Sequence, residues 1–224
     1  MNSNHKPGKM SVISLNNPMI AVVDDMLPEE AVDQLIEDIE NFVEFKPASV
    51  VGKDGKSIKH YARNNQSGNT IDYSQSKAAQ LFLQAASSVL RLHPSQAEAL
   101  SIIKYDLGQK YDPHHDTFAD ENMASHKPEA GNRVATALLY LSDVIEGGAT
   151  VFPRLDRFIT PKKGRCIFFS TTHMGTDRRL EASLHGAEPV VRGEKMAVNL
   201  WFRQNVYSEE LYQKIEGKPW DGYK

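Results

Sequence analysis

Apolar residues in the first half of the chain recur with helical spacing. Over residues 28–43, Ala31, Val32, Leu35, Ile36, Ile39, Phe42 and Val43 fall on one stripe. Over 76–92, Ala78, Leu81, Phe82, Ala85, Ala86, Val89 and Leu90 do the same. Pro28, with Glu29 and Glu30 behind it, marks the start of the first stripe. Proline gives up a donor that would be orphaned there anyway, and acids complement the positive end of a helix. The spacing therefore predicts two amphipathic helices, each with one face to bury. From Leu100 onward the pattern changes to short apolar runs: LSIIKYDL, RVATALLYLSDV, ATVFP, RFITP, RCIFFS, AEPVV and KMAVNLWFR, separated by turn-forming residues. Two helices followed by many short strands predict a β-sandwich or jelly roll with helices packed on one sheet.

The last run is the most informative. With a strand period of two, Lys195, Ala197, Asn199, Trp201 and Arg203 share one face, and Met196, Val198, Leu200 and Phe202 share the other. The apolar face is expected to meet the helices. The face carrying lysine, asparagine and tryptophan is then expected to point between the strands, where polar groups mark a site.

Composition narrows the classes. A chain of 224 residues that is 40% hydrophobic and 25% charged suits one folded domain and not a disordered one. A net charge of −3 argues against a nucleic-acid partner held by bulk electrostatics. The first 25 residues lack the apolar core of a secretory signal, and no segment approaches the roughly 20 apolar residues of a membrane span. The expectation is a cytoplasmic protein with no membrane partner and an open oligomeric state. GKDGKS at 52–57 reads as a turn, because Val50 stands where a phosphate loop requires glycine. The single cysteine, Cys166, excludes an internal disulfide or a zinc or iron–sulfur site built on several thiolates. Any metal must be held by histidines and carboxylates, and there are eight histidines.

YDPHHDTF carries His114, His115 and Asp116. Residues two apart on a strand share a face, so His114 and Asp116 converge and His115 points away. His185, at the start of a late strand in SLHGAEPVVRG, is a candidate third ligand; His173 in STTHMGTD competes with it from a polar loop. His5, His60, His93 and His126 read as loop or surface residues. Two histidines and one carboxylate on one side of a metal leave positions open for a 2-oxo acid and dioxygen, the arrangement of non-haem Fe(II) oxygenases. Lys195, ten residues after His185, shares the interior with it. A buried lysine calls for an anion, which the far carboxylate of a chelating dicarboxylate would supply.

With these residues in place, the sequence resembles the prolyl 4-hydroxylases of the Fe(II)/2-oxoglutarate-dependent dioxygenases, from about Glu98 to Trp201. KYDLGQKYDPHHD, RVATALLYLSDVIEGGATVFP, SLHGAEPV and GEKMAVNLW carry the resemblance and look most like the plant and algal type. It implies a mostly β fold with α, a double-stranded β-helix (jelly roll) with N-terminal helices packed on the major sheet. It also implies boundaries: a flexible 1–18, then a single domain at 19–224. That domain divides into a helical support region at 19–97, a jelly-roll core at 98–206 and a tail at 207–224. The resemblance makes His114, Asp116 and His185 the Fe(II) ligands and the catalytic centre. Lys195, Thr150, Tyr105 and Tyr140 then bind 2-oxoglutarate, and Tyr111, Trp201, Arg133, Glu98 and Arg63 face the substrate. The implied reaction hydroxylates peptidyl proline at carbon 4 while 2-oxoglutarate and O2 become succinate and CO2, with ascorbate in support. The partner is a proline-containing peptide or protein. The alternatives are a related oxygenase acting on another residue, a free amino acid or a small molecule, and a non-catalytic jelly-roll metal- or peptide-binding protein. Arg203 departs from the family, which often carries a histidine just after the last tryptophan.

Overall fold

The computed structural model describes residues 6–48, 50–51, 57–58, 62–68, 70–71, 73–119, 122, 126 and 128–210. The turn expected over GKDGKS (Ser57 apart), His5, His60 and the tail from 211 onward lie outside the described residues.

Both predicted helices form: α1 is Glu29–Phe42 and α2 is Lys77–Leu90. Pro28 precedes α1 in an extended conformation, with Glu29 and Glu30 in the first turn. Ser76 caps α2 by accepting from the Ala79 N–H at 3.0 Å. The same hydroxyl donates to the buried Asp38 carboxylate on α1, so one side chain ties the two helices together. Arg91 ends α2 in the left-handed conformation, φ 54°.

Two antiparallel sheets face each other, and two short ladders, Glu146–Gly147 with Val190–Arg192 and Val50–Val51 with Ser57–Ile58, stand apart from them. The larger has eight strands in the order Met10–Ser14, Ile20–Val23, Cys166–Ser170, Arg133–Tyr140, Lys195–Arg203, Ser101–Tyr105, Gln66–Gly68 and Phe45–Pro47. The smaller has four, in the order Arg157–Ile159, Thr150–Phe152, His185–Ala187 and Tyr111–His114. Long crossovers between sheets with helices outside the larger one make this the jelly roll expected. Each central strand of the larger sheet divides its side chains between two cores. Phe168, Val198, Leu200 and Phe202 pack with Val32, Leu35, Ile39 and Phe82 of the helices. Ile167, Phe169, Ala197, Leu138 and Tyr140 face the smaller sheet with Phe152 and Ala187. The alternation read in KMAVNLWFR thus separates a helix-facing core from a site-facing one.

Two features depart from the expectation. Where a loose N-terminus was expected through residue 18, Met10–Ser14 pairs antiparallel with Ile20–Val23 as the edge of the larger sheet. Its residues are mostly exposed, so backbone pairing rather than apolar alternation holds it. The stretch expected as helical support also supplies Ile20–Val23, Phe45–Pro47 and Gln66–Gly68 to that sheet. Ile20–Val23 is buried at every position, which removes the period-two signal.

Phe168 is fully buried at the helix–sheet contact. Replacing it with alanine removes that contact and leaves a cavity, an expected loss of about 3–5 kcal/mol. Urea unfolding followed by circular dichroism measures it, with a lowered midpoint at unchanged slope as the expected result.

Candidate metal and cosubstrate site

The site lies between the sheets at one end of the sandwich, in a cavity of about 480 Å³. Strand register builds its floor: His185 and His114 are direct partners on adjacent strands of the smaller sheet. Gly186 permits this pairing. A Cβ there would stand 2.8 Å from the Tyr111 carbonyl oxygen and 3.0 Å from the Pro113 nitrogen, so any side chain would push the two histidine-bearing strands apart. Asp116 follows His114 in a bend and turns back toward both rings. His114 Nε2 lies 3.8 Å from Asp116 Oδ1, and His185 Nε2 lies 3.6 Å from Asp116 Oδ2.

The donors are already oriented. His114 Nδ1 lies 3.0 Å from the Asp112 carbonyl, and His185 Nδ1 lies 3.0 Å from the Ser183 carbonyl. A carbonyl only accepts, so each Nδ1 carries the proton and each Nε2 keeps its lone pair for the centre. Burial, reinforced by the neighbouring His185, depresses His114 to about 3, which keeps it neutral at physiological pH. Burial alone would raise Asp116, but its polar surroundings, with the Arg133 guanidinium and the Thr136 hydroxyl beside the adjoining histidine rings, hold it down at about 2, so it is ionised. Thr136 Oγ1 donates to Asp116 Oδ2 at 2.6 Å. Two imidazoles and one carboxylate, with donor atoms all within 4.8 Å of one another, are the donor set that borderline divalent metals such as Fe(II) take.

Of the other histidines, His115 turns away toward Ser183 Oγ, 3.4 Å off. His173 sits in the turn closed by its N–H to the Arg178 carbonyl and lines no part of the cavity. His93 caps the short helix Pro94–Gln96. His126, expected as a loop or surface residue, is half-buried with its ring stacked on Phe118, the two centroids 4.3 Å apart.

Lys195 lies deeper in the same cavity and is 1% exposed. Its Nζ donates to the Gly148 carbonyl at 2.7 Å and stands over the rings of Tyr105 and Tyr140 at 5.0 and 5.4 Å. Gly148 adopts a φ of +68°, which only glycine holds without strain, and this turns its carbonyl toward the ammonium. No carboxylate among the described residues pairs with Lys195, and burial pulls it down to about 7. Thr150 lines the cavity beside it and accepts from the Tyr140 hydroxyl at 2.6 Å. Tyr105 is part of the wall; Tyr140, expected in the wall too, stands behind Thr150, since its hydroxyl is spent on Thr150 and the Ile159 carbonyl.

Toward the mouth, Tyr111 stacks on His114 with ring centroids 3.6 Å apart, and Arg63 lies 4.6 Å over the Tyr111 ring. Across the cavity Arg133 lies 3.6 Å over Trp201. Glu98 sits beneath the wall and not in it: both its oxygens grip Arg133, at 2.8 and 2.7 Å, and Arg203 shares the carboxylate at 3.1 Å. Although burial opposes it, the two guanidinium groups hold the Glu98 carboxyl below its usual range. Sequence reasoning missed Thr136, Arg179 and Phe118. Thr136 is discoverable only through the cross-strand reach of Asp116, and the other two only once the loops are placed.

The jelly roll with a His–Asp–His centre and a buried lysine defines the class of 2-oxoglutarate and iron(II) oxygenases. The family model described as 2OG-Fe(II) oxygenase superfamily matches residues 100–203. A probable prolyl 4-hydroxylase 10 of Arabidopsis thaliana is 31% identical over 210 residues, covering 85% of this chain and 70% of the relative. A probable prolyl 4-hydroxylase 8 from the same plant is 33% identical over 176 residues, covering 70% and 59%. The chain thus spans only part of these relatives' length. Among solved structures, a viral collagen prolyl hydroxylase of Paramecium Bursaria Chlorella virus-1 in its 2OG complex superposes with a TM-score of 0.65 at 26% identity, covering 82% of this chain and 95% of that one. The chain belongs to the prolyl 4-hydroxylase family. No helix among the described residues is long and apolar enough to cross a membrane.

Proposed function

We propose that this chain is an Fe(II)- and 2-oxoglutarate-dependent dioxygenase that hydroxylates peptidyl proline at carbon 4. The observation that carries the reading is Lys195: a buried ammonium without a carboxylate partner among the described residues, in the same cavity as three converging metal donors. A dicarboxylate whose 2-oxo acid end reaches the donors would place its far carboxylate on that ammonium.

His114, Asp116 and His185 would hold iron(II), which would supply the reduction of O2 that side chains cannot perform and couple conversion of 2-oxoglutarate to succinate and CO2 with proline hydroxylation, with ascorbate keeping the metal reduced. The protein's own residues position and shield. The Asp112 and Ser183 carbonyls fix the imidazole tautomers, and the Thr136 hydroxyl fixes the carboxylate. Lys195 and Thr150 orient the cosubstrate, with Tyr105 as wall and Tyr140 setting the Thr150 hydroxyl. Tyr111 and Trp201 both line the cavity, and aromatic side chains of this kind suit a pyrrolidine ring. Glu98 holds Arg133 against Trp201, and Arg63 covers Tyr111. Closing this wall with peptide excludes water from the reacting atoms. The lone cysteine, Cys166, is buried and free, which supports a cytoplasmic setting as part of the reading.

The test is incubation with Fe(II), 2-oxoglutarate and ascorbate against proline-rich and proline-free peptides, read by mass spectrometry. Hydroxyproline with stoichiometric succinate is expected. Oxidation of a different residue would move the chain to another substrate class within the oxygenases. Failure to consume 2-oxoglutarate with any peptide would leave a binding protein.

A further inference from the structure

Most charged groups lining the cavity are engaged within it: Arg63 donates from Nε to Asn65 Oδ1 at 3.1 Å and lies over the Tyr111 ring. Asp112 is paired with Lys110 at 2.6 Å. Asp116 belongs to the metal donors, and Lys195 serves the cosubstrate. Arg133 is neutralised by both oxygens of Glu98. Arg179 remains. It lines the cavity, is only half-buried, and its side chain makes one hydrogen bond, from Nε to Thr117 Oγ1 at 2.9 Å. No carboxylate among the described residues pairs with it.

The position is built. Thr117, 6% exposed, follows Asp116 directly, so its hydroxyl holds the Arg179 fork beside the metal donors. The backbone behind is fixed by the pairing of Thr172 with Arg179 and by the Leu180 N–H to the Thr171 carbonyl at 2.9 Å. A guanidinium has five N–H donors in a rigid plane, and spending only Nε leaves the rest of the fork for a ligand. The adjoining wall runs through Phe118 to Arg133 and Trp201, the surface assigned above to the peptide.

We propose that Arg179 is a specificity-determining residue that receives a carboxylate of the peptide substrate, so that this chain selects prolines near an acidic group. The inference rests on the hydroxylase reading and sharpens its substrate class. The carboxylate has two sources, an Asp or Glu side chain close to the proline or the free C-terminus of a short peptide. A neutral hydroxyl partner and a charge-assisted bond to carboxylate differ enough that an acidic peptide should be favoured roughly tenfold to a hundredfold over its amide isostere.

The experiment compares proline peptides carrying Glu, Gln or Lys beside the proline, each with free and amidated C-termini, on the wild-type protein, Arg179→Gln and Arg179→Glu. Hydroxylation kcat/KM gives one readout. Calorimetric binding to protein loaded with a redox-inert divalent metal and 2-oxoglutarate gives a second that needs no turnover. The expected result is an acid-over-amide preference in the wild type that collapses to about one in Arg179→Gln and inverts toward a Lys-bearing peptide in Arg179→Glu. The capping arm shows which carboxylate is read. A wild-type ratio of one in binding, or a ratio retained in Arg179→Gln, overturns the proposal. A 2-oxoglutarate requirement raised as steeply as the peptide requirement in Arg179→Gln also overturns it, by assigning the arginine to the cosubstrate. Charge-selective binding without proline hydroxylation would sink the hydroxylase reading and leave the Arg179 subsite standing.

Discussion

His114→Ala and Asp116→Ala are each expected to reduce peptide-dependent succinate formation to that of a protein-free control. Each removes one of three donors from a centre with no spare histidine among the described residues: His115 faces Ser183, and His173 lies outside the cavity. The fold should survive, because these side chains close one end of the smaller sheet and take no part in the helix-facing core. Far-UV circular dichroism checks that point, and competitive titration with a divalent metal checks the cause. Thr136→Val gives the graded control. It leaves all three donors but frees the Asp116 carboxylate from its 2.6 Å hydrogen bond, and an outer partner of this kind is worth roughly 10–100-fold in metal affinity or activity. Wild-type turnover by either alanine variant would remove the triad from the chemistry.

Lys195→Ala is expected to raise the 2-oxoglutarate requirement by between roughly a hundredfold and a few thousandfold. This follows from the about 3–5 kcal/mol lost when one partner of a buried ion pair is removed. The same residue gives a pH dependence with a defined sign. Burial holds the unliganded lysine at about 7, against an ordinary value near 10.5. The folded protein therefore binds fewer protons here than the unfolded chain between about pH 7 and 10.5, so this group makes stability rise with pH across that window. Cosubstrate binding runs the other way. The dicarboxylate needs the ammonium, so binding takes up a proton above pH 7 and affinity falls as pH rises. Calorimetry of 2-oxoglutarate binding in buffers of different ionisation heat measures that uptake. Lys195→Met, with no charge to bury, should unfold at higher denaturant near neutral pH while binding 2-oxoglutarate poorly. An unchanged cosubstrate requirement in Lys195→Ala would unseat the anchor.

The legible parts of this protein were those whose period is local. The 3.6-residue stripes of α1 and α2 follow from burying one face of a helix. Strict alternation in KMAVNLWFR separated Met196, Val198, Leu200 and Phe202, against the helices, from Lys195, Asn199 and Trp201, facing the cavity. The strands that escaped notice lacked a period to read. Met10–Ser14 is largely exposed on an edge, and Ile20–Val23 is buried on both faces. Within the site, His114 and Asp116 were legible as neighbours two apart, and His185 only through motif order. Glu98 and Tyr140 were expected in the cavity wall and stand behind it, because chain position does not say which of two stacked polar groups faces the ligand.

The ingredients are legible along the chain: one cysteine, hence a histidine and carboxylate centre; two amphipathic helices ahead of a strand-rich jelly roll; and a lysine on the inward face of the last strand. Which groups meet depends on how the sheets pair and close. The pairing of His185 with His114 spans 71 residues and depends on the close approach that Gly186 allows. The absence of a carboxylate partner for Lys195, and for Arg179 among the described residues, is likewise a property of the assembled cavity. Local pattern fixes which way a side chain points within its own element. Charge balance and metal geometry are set by distances between elements, and those exist only once the two sheets have closed on each other.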